Sequence, residues 1–343
     1  MPTDISDLGE FGLIDRITLP FTCKHPQSIK GAGDDAAVID TGKSLTLVST
    51  DTMLEGIDFD LVYTPLTHLG YKTVVAGISD IYAMNGIPKQ IMVTVGVSAR
   101  FSVEQIEDLY KGIKIACEQY AVDLVGGDTS ASMTGLTLGI TAIGEAEKDK
   151  IVYRSGAKEH DLICVTGDLG SAYLGLKLLD REKRVLGKTE NPQPQFDGCE
   201  YLLQRQLKPE APKTVVEAMD KNGIIPTSMI DLSDGLASDL IQVCKASKTG
   251  ARIYLERIPI AKDTFALAEE LNIDPVVAAL NGGDDYELLF TVPLARQSEI
   301  ACIPGAEIIG HMTAENKGIA LTTPDGQEIE ITAPGWGVEK NQD

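Results

Sequence analysis

The chain predicts a two-domain α/β protein. Three observations carry that expectation. Strand and helix signals alternate along the first half, and similar signals restart after a strongly charged stretch at 145–150. A length of 343 residues with 43% hydrophobic content also suits two globular cores. The boundary is expected between residues 1–147 and 148–343.

In the first half, residues 44–49 (SLTLVS) and 91–97 are β-branched and apolar and predict strands. Residues 67–85 predict a helix, with Gly86 placed to end it and Pro88 just beyond. Residues 101–120 predict a second helix. Ser102 and Gln105 form a capping-box pattern, and Ile106, Leu109, Tyr110 and Ile113 recur at helical spacing. Residues 122–125 read as a short buried strand entering a turn at Gly126-Gly127-Asp128, and 136–143 as another strand. In the second half, 161–166 predict a strand and 171–179 a helix. Residues 181–200 are polar, carry Pro192 and Pro194, and predict an exposed loop. Residues 229–232, 252–255 and 286–292 predict strands, 236–246 a helix, and Thr323-Pro324-Asp325-Gly326 a hairpin turn.

Composition excludes several classes of function. No stretch approaches 18 uninterrupted apolar residues, so no membrane span is expected. The first ten residues lack the basic-then-apolar order of a secretory signal, which points to the cytoplasm. Six scattered cysteines without a CxxC pair predict reduced, buried thiols. A net charge of −21 argues against a nucleic-acid partner, although a nucleoside triphosphate fits if divalent metal bridges the two sets of negative charge. Gly31-Ala32-Gly33-Asp34-Asp35-Ala36 matches a dinucleotide-binding pattern in letters only, because no buried strand precedes it and no long helix follows. Gly42-Lys43-Ser44 reads as a hairpin turn, and none of the four histidines sits in a nucleophile motif.

The chemistry lies in the aspartates. Eight of them fall in five Gly/Ser/Thr-rich clusters: Gly33-Asp34-Asp35, Ser49-Thr50-Asp51-Thr52, Gly126-Gly127-Asp128-Thr129, Asp231-Leu232-Ser233-Asp234-Gly235 and Gly282-Gly283-Asp284-Asp285-Tyr286. Asp80 is a ninth, on the first predicted helix. Any one cluster alone is an ordinary turn or cap. The set has hardly any Lys or Arg beside it, and such carboxylates repel one another unless a cation is present. Oxygen ligands without Cys or His favour Mg²⁺ or Ca²⁺ over zinc. Small neighbours let phosphate oxygens approach backbone N–H groups.

In this order the motifs resemble the thiamine-monophosphate kinase family, part of the ATP-binding superfamily that includes aminoimidazole ribonucleotide synthetase and selenophosphate synthetase. The resemblance starts at Gly9-Glu10-Phe11-Gly12-Leu13-Ile14. It runs through GDDAAV, STDT, GISD, LVGGDTS, RSGAK, IDLSDGLASDL and GGDDYELLF to Gly335-Trp336. It implies an aminoimidazole ribonucleotide synthetase-like α/β (α+β) fold, in which an N-terminal α/β domain pairs in a homodimer and a C-terminal α/β sandwich completes the site. It also implies transfer of the ATP γ-phosphate to thiamine monophosphate with several Mg²⁺ ions. By the resemblance Asp35, Ser49, Thr50, Asp51, Asp80, Asp128, Asp231 and Asp234 are metal ligands. Gly127, Tyr110, Arg154 and Ser233 contact ATP, while Asp58, Asp284 and Trp336 contact the acceptor. Asp128, Asp51 and Arg154 are expected to matter most for the transfer itself. The spacing of Tyr110 equally suits a core residue. The chain departs from the family on the acceptor side, with Asp58 where many members have His and Asp284 where many have Glu. The competing expectations are another ATP-dependent synthetase of the superfamily, or a non-catalytic nucleotide- or metal-binding module.

Overall fold

The computed structural model describes residues 25–30, 33–186 and 196–333. The 9–14 motif, Cys23 and Trp336 lie outside them.

Two sheets organise the described residues. The first contains β1 (Ser28–Lys30), β2 (Ala37–Asp40), β3 (Leu45–Leu54), β4 (Ile87–Val97), β5 (Asp123–Ala131) and β6 (Thr137–Ala146), in the order β1-β2-β3-β6-β4-β5. All pairings are antiparallel except β4 with β5. Period-two alternation sets its faces. In β3 the odd-numbered Leu45, Leu47, Ser49 and Met53 are buried, while Thr50, Thr52 and Leu54 are exposed. In β4 Ile91, Val93 and Val95 are buried, while Met92 and Thr94 are exposed.

Helix α1 (Leu66–Ala83) covers the buried face, and α2 (Val103–Tyr120) packs against α1. Most of α1 is buried, because it also packs on β8 (Ser228–Leu232) of the second sheet. It therefore lies between the two halves of the chain. Helix α2 is amphipathic and begins with the expected capping box, in which the Ser102 hydroxyl accepts from Gln105 N–H and the Gln105 side chain accepts from Ser102 N–H. Ser102→Ala is expected to destabilise the protein by about 1 kcal/mol. A lowered denaturation midpoint checks this, and an unchanged midpoint would contradict it.

The second sheet has the order β13-β12-β9-β11-β7-β10-β8. Besides β8 it contains β7 (Leu162–Val165), β9 (Thr249–Tyr254), β10 (Glu287–Val292), β11 (Glu307–Ala314), β12 (Ile319–Thr322) and β13 (Glu328–Glu330). Strands β7, β8 and β10 are buried almost throughout, as strands covered on both faces must be. One core cluster joins residues of both sheets, from Leu47 and Ile140 to Met229 and Phe290. A second cluster packs α6 (Leu236–Ser247) on the other face of the second sheet. A third joins α3 (Ser171–Leu186), α4 (Glu200–Leu207), α7 (Lys262–Leu271) and α8 (Pro275–Asn281). Helix α5 (Lys213–Lys221) completes the set.

Three expectations change. Gly126-Gly127-Asp128 is strand rather than turn, because parallel pairing with β4 carries the backbone through to Ala131. Gly127 is needed there for packing, since a Cβ would lie 2.0 Å from the Val93 carbonyl oxygen. The stretch expected to be a loop from 181 continues α3 to Leu186, with the basic Lys183 and Arg184 in its last turn, and α4 starts at Glu200. Of the cysteines expected to be buried, Cys164 and Cys244 are, but Cys302 is exposed. The hairpin at 323–326 joins β12 to β13 as expected.

Candidate active site

Four elements bring acidic side chains to the junction of the halves. Asp35 precedes β2, Asp51 lies in β3, Asp80 in the last turns of α1, and Asp231 near the end of β8, with Asp234 in the turn after it. One carboxylate oxygen from each of Asp35, Asp80 and Asp231 lies within 4.8 Å of the others. The Ser79 hydroxyl donates to Asp231 Oδ2 at 2.7 Å, tying α1 to β8. Arg154 Nη2 donates to Asp35 Oδ1 at 2.9 Å, and Arg154 N–H donates to Asp34 Oδ1 at 3.1 Å. Asp35 Oδ2 and Asp51 Oδ2 are buried with no hydrogen-bond partner among the described residues.

The electrostatics follow from burial and like charge. Burial pushes Asp35 from 3.8 up to about 7 despite the opposing Arg154 charge. It pushes Asp51 up to about 6, and Asp231 to about 6 against the Ser79 hydrogen bond. Asp80 rises well above the usual range through burial and then the Asp231, Asp51 and Asp35 charges. Asp234 is also raised, first by burial. Hard oxygen donors, orphaned carboxylate oxygens and mutual repulsion all fit a divalent cation held by Asp35, Asp80 and Asp231, with Asp51 beside them.

Two cavities open on this wall. One, of about 530 Å³, includes Asp34, Asp35, Thr50, Arg154, Asp239 and Lys245. The other, of about 420 Å³, runs past Asp58, Phe59, Lys72, Leu176, Asp284 and Tyr286. Asp51, Asp80, Asp231, Ser233 and Asp234 line both. The turn carrying Ser233 and Asp234 is clasped by the loop before β10, where Asp284 N–H donates to Ser233 O at 2.8 Å and Tyr286 N–H to Leu232 O at 2.9 Å. This clasp puts Asp284 and Tyr286 at φ 60° and 52°. Gly283 has φ 72°, and a Cβ there would lie 2.6 Å from Ser233 O.

Most of the expected site residues therefore converge. Ser49 and Thr50 lie beside the wall with their hydroxyls donating to Gly77 O at 3.0 Å and Ile140 O at 2.9 Å. Asp58 and Asp284 share the second cavity with Lys72. Tyr110, Gly127 and Asp128 do not join them; they meet in a separate shallow depression beside the exposed strand β5. Gly127, Val93, Ile140 and Asp51 form one row across the sheet. Three strand spacings put Gly127 about 14 Å from Asp51. Asp128 pairs with Thr94, which is on the exposed face.

Sequence reasoning missed Asp239 and Lys72, and it named Asp34 only as part of a cluster, without a role. Asp239 is buried beside Asp234, and burial followed by that charge drives its pKa well above the usual range. Asp34 Oδ1 receives the Arg154 N–H. Lys72 is the one Lys or Arg in the apolar run 66–83, and no local pattern marks it as functional.

Comparison with known proteins fits the geometry. Residues 33–146 match the family model described as AIR synthase related protein, N-terminal domain. The thiamine-monophosphate kinase of Bacillus subtilis is 36% identical over 286 residues, covering 83% of this chain and 84% of the relative. That of Aquifex aeolicus is 33% identical over 333 residues, covering 97% of this chain and 98% of the relative. The chain belongs to the thiamine-monophosphate kinase family. A solved structure of AaThiL complexed with AMPPCP and TMP superposes with a TM-score of 0.82 at 31% identity, covering 98% of this chain and 99% of that chain. The expected fold class is thereby borne out, since the likeness to a thiamine-monophosphate kinase extends through both sheets.

Proposed function

We propose that this chain transfers the γ-phosphoryl group of ATP to thiamine monophosphate, giving thiamine diphosphate and ADP, with magnesium as the divalent ion. The observation that carries this reading is the shared wall: two cavities of different character open on the same five residues, Asp51, Asp80, Asp231, Ser233 and Asp234. Two substrates held one in each would meet there. Arg154 supports placing the nucleotide in the larger cavity, because its guanidinium supplies fixed positive charge for phosphates. Phe59, Leu176 and Tyr286 suit the other cavity to an acceptor with rings.

Asp35, Asp51, Asp80, Asp231 and Asp234 would hold the magnesium ions, with Ser49, Thr50 and Asp128 as further ligands by family resemblance. Bound there, magnesium supplies charge neutralisation between two polyanions. The protein's own task is positioning. A phosphate monoester is already an ionised nucleophile near neutral pH, so no strong general base is needed. Among the described residues, no histidine lines either cavity.

We also propose a homodimer. Among the described residues β5 pairs only with β4, and its Leu124 and Val125 are 43% and 57% exposed. An open edge beside an uncovered sheet face is suited to a second copy. Such pairing would bring the partner's Gly127, Asp128 and Tyr110 toward the wall they do not reach within one chain. On this reading residues 1–147 supply the dimer contact and much of the metal site, and 148–343 complete the nucleotide and acceptor cavities. A cytoplasmic location accords with the absence, among the described residues, of any helix long and apolar enough to cross a membrane.

Incubation with Mg-ATP and a panel of acceptors, following ADP, tests the reaction. Turnover is expected with thiamine monophosphate. Turnover with aminoimidazole precursors alone would sink the reading.

A further inference from the structure

Among the described residues lining the acceptor cavity, Lys72 is the one Lys or Arg, and its side chain is only 5% exposed. A buried ammonium needs a partner, and Lys72 Nζ lies 2.9 Å from Asp284 Oδ2. The other Asp284 oxygen accepts from the Tyr286 hydroxyl at 3.1 Å. Asp58, across the same cavity, accepts the Leu54 N–H at 2.7 Å through Oδ2. Its neighbouring charges are Asp284 and Lys72.

Helix geometry sets how far this group lies from the metal wall. Lys72, Ala76 and Asp80 line the cavity at successive four-residue steps of α1. The rise from Lys72 to Asp80 is about 12 Å. On the kinase reading, an acceptor with its phosphate at the wall would carry its body past Lys72, Asp284 and Asp58. These two carboxylates and one ammonium face that part of the cavity.

We propose that Lys72 is a specificity-determining residue: by neutralising Asp284 it leaves Asp58 as the single uncompensated carboxylate, and the cavity selects an acceptor whose ring carries one positive charge. This rests on the kinase reading above, because it is the phosphate at the wall that sets the ring level with Lys72.

The test uses the full chain with Mg²⁺ and a non-hydrolysable ATP analogue. Calorimetry compares thiamine monophosphate with an isosteric phosphate ester in which a neutral thiophene replaces the thiazolium. The wild type is expected to prefer the cationic ligand by about tenfold or more. Asp58→Asn is expected to bring the preference below about threefold, and Lys72→Met, which bares Asp284, to widen it beyond wild type. Lys72→Arg keeps the charge and is expected to stay within about threefold of the wild-type ratio. Should Lys72→Met fail to fold, Asp58→Asn and Lys72→Arg still decide. In steady state these changes should move KM for the acceptor and leave KM for ATP in place. Equal wild-type affinity for the two ligands, a preference undiminished in Asp58→Asn, or equal movement of both KM values overturns the proposal. A wild type that shows the preference yet forms no ADP would defeat the kinase reading and leave the subsite standing.

Discussion

Asp80→Asn is expected to lower kcat by about 10²–10³-fold while raising the melting temperature of the metal-free protein. The two effects share one cause. Asp80, Asp35 and Asp231 are packed within 4.8 Å of one another, with burial and mutual charge opposing their ionisation. Without a cation, the folded protein bears that repulsion; with one, the same oxygens are what bind it. Asparagine keeps the shape and removes one charge.

The pH dependence has a definite sign. Asp35, Asp51 and Asp231 ionise at about 7, 6 and 6 in the folded chain, against an ordinary value of 3.8. Between these values the folded state holds protons that the unfolded state has released. The associated stability is present below 3.8 and is lost as pH rises through 6 and 7. Thermal melts of chelated protein at pH 5.5 and 8 should show a lower Tm at pH 8, a smaller fall in Asp80→Asn, and a larger gain from added Mg²⁺ in the wild type. A chelated wild type more stable at pH 8, or a variant that melts lower, would count against the acidic wall as a cation site.

The second large effect concerns Asp128. Asp128→Asn homodimers and Asp80→Asn homodimers are each expected to be nearly inactive. Mixing and refolding them together should restore about a quarter of wild-type activity. If Asp128 serves its partner's wall, half the dimers are mixed, and each of these has one site free of both changes. If Asp128 acts within its own chain, every site carries one lesion and the mixture stays dead. The row from Gly127 through Val93 and Ile140 to Asp51, about 14 Å across, favours the first outcome.

How far the sequence was legible depends on the range of each signal. The capping box at Ser102 and the β-branched run at 44–49 are local, and both appear where expected. Gly126-Gly127-Asp128 misled because turn propensity is local, while strand continuation there depends on β4, about thirty residues away in sequence. The carboxylates of the wall were visible as letters, but their partition between two cavities was not. That partition depends on α1 lying between the sheets and on the Ser79–Asp231 bond, which spans 152 residues. Lys72 stayed hidden because a single lysine in an apolar helix ordinarily snorkels to solvent, and only the folded chain puts Asp284 within its reach.

Helix α1 has one more consequence. With Lys72 and Asp80 on one rigid backbone, it acts as a ruler whose length cannot adjust to its cargo. An acceptor with one phosphate can set its ring at one mark and its nucleophile at the other. The product would keep both marks, and its added phosphoryl group would extend from the second mark into the nucleotide cavity, so that one molecule spans the two spaces the substrates filled separately.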